Sequence, residues 1–113
     1  MSILLLDDEE VFAKMLSFVC ASAGAKFYYA RTIDEAKEIV KKNHIKYAII
    51  DQNLKNEKGV SFNRFVKDTT ADIKTIFCSG ILDNIDDNEL SRFDFVIDKS
   101  ELITFLNKLL LKS

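Results

Sequence analysis

The chain has 113 residues, of which 48% are hydrophobic and 30% charged, the content expected of one globular domain with one core. A net charge of -2 argues against a general nucleic-acid or membrane-surface binder. No apolar run approaches the ~18–20 residues of a membrane span.

The N-terminus runs directly into Ile3-Leu4-Leu5-Leu6 and then acids, without the basic start and cleavage site of a secretory signal. Cys20 and Cys78 lie in apolar surroundings without metal-ligand spacing, so they read as buried thiols of a reducing cytoplasm. With no proline, three glycines and no repeat, nothing marks a linker, and residues 1–113 are expected to form one domain.

The first strand is Ile3-Leu4-Leu5-Leu6, ending at Asp7-Asp8-Glu9. A helix is predicted over Val11–Ala23, with Val11, Phe12, Met15, Leu16 and Val19 on its inner face and Gly24 as its stop. Lys26–Ala30 reads as an edge strand, because its lysine and tyrosines tolerate water. Thr32-Ile33-Asp34-Glu35 is a capping box, in which Glu35 would reach back to the Thr32 amide, and opens a helix to about Lys42. His44, the only histidine, reads as a solvated loop residue.

Tyr47-Ala48-Ile49-Ile50-Asp51 is a continuous apolar run ending in one carboxylate, the pattern of a strand buried on both faces. A polar loop, Gln52–Gly59, leads to a helix over Val60–Thr69 that buries Val60, Phe62, Phe65 and Val66. A fourth strand over Lys74–Cys78 runs into Ser79-Gly80. The acidic segment Gly80–Leu90, containing Asp83, Asp86, Asp87 and Glu89, is expected to hold a short fourth helix. Phe95–Ile97 is the fifth strand, running into Asp98-Lys99. The last helix is expected to be N-capped by Ser100 and to turn Leu102, Ile103, Leu106, Leu109 and Leu110 toward the sheet.

Five alternations of strand and helix indicate an α/β fold, a doubly wound parallel sheet covered on both faces. A flavodoxin-like strand order, 2-1-3-4-5, makes the first and third strands neighbours, and ligands in such sheets bind at the C-terminal strand ends. Asp7, Asp8, Asp51, Ser79 and Lys99 would then share one site.

Each of these residues has a plainer reading alone: an acid after a strand caps a helix, a lysine sits at the surface, a serine before glycine makes a turn. Together the acids repel, at about 4 kcal/mol for two unit charges ~4 Å apart at an effective dielectric of ~20. A divalent cation relieves that repulsion, and hard carboxylate oxygens suit magnesium. Asp51 would be both metal ligand and nucleophile toward a phosphoryl group. Lys99 would pair with Asp51 at rest and with the phosphoryl group afterwards, and Ser79 would donate to a phosphoryl oxygen.

Four pieces stand in order: Leu4-Leu5-Leu6-Asp7-Asp8-Glu9, Ile49-Ile50-Asp51 with Gly59 eight residues later, Phe77-Cys78-Ser79-Gly80, and Ile97-Asp98-Lys99. On them the chain resembles a response-regulator receiver domain of two-component signalling, of the stand-alone, chemotaxis-receiver-like kind. The resemblance spans Ile3 to about Leu111. It implies that Asp7 and Asp8 hold Mg2+ with Asp51, and that the Asn53 main-chain carbonyl completes the metal shell. It further implies that Asp51 accepts phosphate from a histidine kinase or phosphotransfer protein, that Ser79 is the switch hydroxyl, and that Lys99 is the phosphate-pairing lysine. Such a domain catalyses its own phosphorylation and dephosphorylation, switches the binding of an output protein, acts in the cytoplasm, and is a monomer or weak dimer. Asn53 and Ile81 stand where the family sets phosphoryl lifetime.

Three positions depart from the family pattern. Ser100 replaces the usual proline after the lysine, so a trans Lys99–Ser100 bond is expected. Val96 replaces the switch aromatic, with Phe95 pointing to the other face. Lys55 replaces a proline after the acceptor. These keep open a phosphorylation-silent interaction module. A small Mg-dependent phosphatase with an aspartate nucleophile is a further alternative, without an evident cap segment.

Overall fold

The computed structural model describes residues 1–70, 72–79 and 85–111, except the side chains of Asn53 and Ser79. In chain order the elements are β1 (Ser2–Leu6), α1 (Glu10–Ser22), β2 (Lys26–Ala30), α2 (Ile33–Lys42), β3 (Tyr47–Asp51), β4 (Asn53–Leu54), β5 (Glu57–Lys58), α3 (Gly59–Thr69), β6 (Lys74–Ser79), α4 (Asp87–Leu90), β7 (Phe95–Asp98) and α5 (Leu102–Leu111). The five long strands are parallel and lie in the order β2-β1-β3-β6-β7. Among the described residues β4 and β5 pair only with each other, as a small antiparallel hairpin inside the expected polar loop. Without that hairpin the order is the expected 2-1-3-4-5, and the fold is flavodoxin-like α/β.

Successive residues of the central strands feed opposite layers, which is why their sequences are apolar without alternation. Leu4, Leu6, Ala48, Ile50 and Phe77 pack with Ile33 and Ala36 of α2 and with Phe62 and Val66 of α3. Ile3, Leu5, Ile49, Ile76 and Cys78 pack with Phe12, Leu16 and Cys20 of α1 and with Leu102, Leu106 and Leu110 of α5. β2 is an edge strand, as its composition implied.

Helix ends follow local chemistry. Gly24 has φ +74°, and the Ala25 and Gly24 amides donate to Cys20 O (2.9 Å) and Ala21 O (3.1 Å), closing α1 in a Schellman motif. The Thr32 hydroxyl accepts from the Glu35 amide at 3.2 Å. The Glu35 carboxylate reaches the Arg31 amide at 3.2 Å, one residue before the expected Thr32. His44 is exposed.

Several expectations are corrected. Helix α1 begins at Glu10, and Val11 (73% exposed) and Met15 (47%) face out, while Phe12, Ala13, Leu16 and Cys20 are buried. The helix has more apolar residues than one face can bury, and Val11, Met15 and Phe18 (77%) form a second, exposed stripe. Ser100 does not cap α5. The Asp98 carboxylate accepts from the Ser100 amide (2.9 Å) and hydroxyl (2.7 Å), and caps a 3-10 turn, Lys99–Glu101, that leads into α5. Ser100 therefore lies inside the turn as a donor, and the capping position falls two residues earlier than expected. The expected fourth helix is one turn, Asp87–Leu90; Gly80, Ile81, Leu82 and Asp83 lie outside the described residues. No cis peptide bond occurs among the described residues, so Lys99–Ser100 is trans as expected.

One buried polar side chain stands out. Asn63 of α3 is 0% exposed, and among the described residues neither its Oδ1 nor its Nδ2 has a hydrogen-bond partner. Such a group forfeits its hydration without replacement, at a cost of about 1–3 kcal/mol. Leucine has the same heavy-atom branching. Asn63→Leu is therefore expected to raise the unfolding free energy by about 1–3 kcal/mol in urea titrations, and a loss of stability would contradict this account.

Asp94 sits between α3 and the sheet. Its carboxylate pairs with Lys67 Nζ at 2.6 Å and accepts from the Thr75 amide at 2.7 Å. Partial burial opposes its charge, but the Lys67 ammonium and the Thr75 amide more than offset that and hold its pKa below the ordinary 3.8. A depressed carboxylate stabilises the fold above its unfolded value, and that contribution is lost as pH falls through the folded value. Asp94→Asn should cost about 1–2 kcal/mol at pH 7. The gap to the parent protein should close as the pH drops below 3.8 in a pH series of unfolding curves.

Candidate functional site

The parallel pairing of β1 with β3 sets Leu6 opposite Ile50, so Asp7 and Asp51 emerge side by side at the C-terminal sheet edge. Asp7, Asp8 and Asp51 each offer one oxygen, and these atoms lie within 4.8 Å of one another. Asp7 (1% exposed) and Asp51 (6%) are buried, and Asp8 is half-buried. Asp7 Oδ1 accepts from the Glu9 amide at 2.9 Å. Its Oδ2 is buried without a well-angled hydrogen bond, although Lys99 Nζ stands 2.9 Å away as an ion pair. Three converging carboxylates, one with a lone pair still unused, are the hard-oxygen donor set that magnesium prefers, so the residues present fit that ion.

Lys99 follows β7, and its side chain is 17% exposed. Sequence reasoning gave it Asp51 as resting partner. The ammonium instead bridges Asp7 Oδ2 (2.9 Å) and Glu9 Oε1 (3.0 Å) and lies 4.5 Å from the centre of the Phe12 ring. Partial burial works against its charge. The carboxylates of Asp7 and Glu9, with the field of Asp51, outweigh burial and hold the lysine pKa above its usual value. Burial pushes Asp7 up from the normal carboxylate range, against the Glu9 amide and Lys99, which favour its charge. Burial also pushes the neighbouring Cys78 thiol up to about 12, which leaves it an inert core residue.

Ser79 ends β6 with its backbone in register with Asp98, beside the strand that carries Asp51. Asn53 starts β4, two residues after Asp51. The side chains of both lie outside the described residues, as does Ile81.

Two further residues shape the site. Gln52 is 8% exposed; its side-chain Oε1 accepts from the Val60 amide (3.2 Å) and its main-chain oxygen from the Gly59 amide (3.1 Å). The residue after Asp51 thus holds the N-terminus of α3. Its signal in the sequence is a polar residue directly after a buried strand. Glu57 reaches across to α2 and accepts from the Ile33 amide at 3.0 Å. Gly59 is required by closeness: a Cβ there would lie 2.1 Å from the main-chain oxygen of Asp51 and 2.7 Å from Ile50 Cγ2.

The model of the response regulator receiver domain matches residues 3–107, nearly the whole chain and every residue of this cluster. The chain belongs to that family. No curated protein matches it. Among solved structures, a CheY-like receiver domain from Methylobacillus flagellatus superposes at TM-score 0.85, with 18% identity over 99% of this chain and 97% of that one. The response regulator TrrA from Thermotoga maritima, solved in complex with Mg(2+)-BeF, gives TM-score 0.85 and 20% identity over 98% and 96%. A response regulator from Burkholderia pseudomallei with a phosphorylated aspartic acid and a calcium ion gives 0.84 and 21% over 93% and 63%. At these identities the structures share the receiver fold.

The receiver site depends on the approach of α3 to β3. Gly59→Ala is expected to shift the Asp51 main chain, lower stability by about 1–3 kcal/mol and weaken Mg2+ binding several-fold. Urea unfolding and an NMR titration with MgCl2 measure both, and an unchanged Mg2+ affinity would show that the contact does not place Asp51.

Proposed function

We propose that residues 1–113 act as one phospho-accepting receiver unit, in which Asp51 takes a phosphoryl group from a phosphohistidine on a histidine kinase or phosphotransfer protein. Asp7, Asp8 and Asp51, with the Asn53 main-chain carbonyl, would hold Mg2+, which when bound neutralises charge on the transferring group. The observation that carries this reading is the convergence of three carboxylates with Lys99 against them, in a chain of the receiver family.

An Asp51 oxygen forms a bond to phosphorus as the P–N bond of the donor breaks, and the imidazole leaves with the electron pair. Lys99 meets the charge gathering on the phosphoryl oxygens, and Ser79 donates its hydroxyl to one of them. Catalysis is then positioning and charge neutralisation, and hydrolysis of the acyl phosphate returns the resting state. The exposed stripe of Val11, Met15 and Phe18 begins three residues after Asp8 and offers the donor protein an apolar face beside the site. The phosphorylated form would alter binding of an output protein in the cytoplasm, where the buried Cys20 and Cys78 stay reduced.

Val96 is the observation that favours a silent module instead: it is 47% exposed on edge strand β7 and supplies no ring to couple to Ser79. Incubation with Mg2+ and acetyl phosphate, read by intact mass, separates the two. The receiver gains one phosphoryl group, Asp51→Asn gains none, and Lys99→Ala reacts roughly 10²-fold more slowly. A parent protein with no mass gain would favour the silent module.

A further inference from the structure

We propose that Glu9 is a positioning residue for the phosphoryl site, holding the Lys99 ammonium in competition with the incoming phosphoryl group. Glu9 stands at the N-cap of α1, where an acid ordinarily accepts from the amides of its own first turn, yet its side chain makes no capping hydrogen bond. The carboxylate turns instead to Lys99 Nζ, 3.0 Å away and 90 residues distant in sequence. The ammonium is thereby shared between the buried Asp7 and the exposed Glu9, with the Phe12 ring at 4.5 Å completing the cradle. The two anions are not equivalent. Asp7 Oδ2 is sealed from water, whereas the Glu9 side chain is 63% exposed and its pull on Lys99 is screened. A phosphoryl group on Asp51 brings nearly two negative charges to the same ammonium. Glu9 is the partner that yields, and the ease with which it yields sets how tightly the phosphoryl group is held.

This inference rests on the receiver reading, and the experiment separates the two. The chain is titrated with beryllofluoride, a phosphoryl analogue, in MgCl2 and followed by two-dimensional NMR. Glu9→Gln, which keeps the side-chain shape and removes the charge, is expected to tighten beryllofluoride binding roughly three- to fivefold. Glu10→Gln removes an equal charge from the next residue, whose carboxylate is tied to Arg31 at 2.8 Å, and should leave the affinity unchanged. In a Lys99→Ala background, Glu9→Gln should have no effect, because the contact it acts through is gone. Equal effects of Glu9→Gln and Glu10→Gln, no effect of Glu9→Gln, or an effect that persists without Lys99 would each overturn the role of Glu9. A parent protein that binds no beryllofluoride would overturn the receiver reading and this inference with it.

Discussion

Repulsion among like charges at the ends of two adjacent strands is the constraint to which the rest of this structure answers. The register of β1 on β3 leaves Asp7 and Asp51 no room to separate, and burial removes the water that would screen them. A fold that only needed stability would not keep three acids within 4.8 Å of one another. The protein offsets the repulsion with one ammonium, one backbone amide on Asp7, and a donor set left open to a dication. Each of these comes from a different part of the chain, so the site exists only when the sheet is complete.

The surroundings are arranged to keep those strand ends in place. Gln52 and Gly59 press the start of α3 against the end of β3. On the far side, Arg64 pairs with Glu89, Lys67 with Asp94 and Asp68 with Arg92, so α3 is tied by charge to the segment that carries α4 and leads into β7. Those pairs are side-chain contacts over a thin apolar layer, in which Phe93 leans on Phe77 with ring centres 5.0 Å apart. The single turn α4, between β6 and β7, has no fully buried residue and depends on such polar links more than α1 and α5, which bury core residues.

The strands and the acids at their ends were legible in the sequence because they depend on short-range pattern, and the strand order followed from setting the two acid-bearing strands side by side. Doubly buried strands write continuous apolar runs, and an acid at the end of such a run has one address in a parallel sheet. Glu9 was not legible, since an acid just ahead of a helix reads as a cap, and only the fold reveals that Lys99 is within its reach. Gln52 and Glu57 were missed because each lies outside a helix and accepts from a helix N-terminus well removed in sequence, Gln52 from Val60 of α3 and Glu57 from Ile33 of α2. The inner face of α1 was misjudged because apolar residues occupy two of its stripes, and periodicity alone does not say which one meets the sheet. Ser100 lost its capping role because the turn starts earlier, at Asp98, so that Ser100 lies inside it and donates both its amide and its hydroxyl to that carboxylate.

The β4–β5 hairpin has a practical corollary for engineering. It is fastened twice, at its base through Gln52 to α3 and beside its tip through Glu57 to α2, while Lys55 and Asn56 at the tip are exposed and Asn56 already turns the chain with φ 65°. Extra residues spliced at the tip leave both fastenings in register, whereas residues added on either flank would pull Asp51 from its neighbours. The Lys55–Asn56 tip is thus the natural grafting point for a reporter peptide beside the acidic pocket.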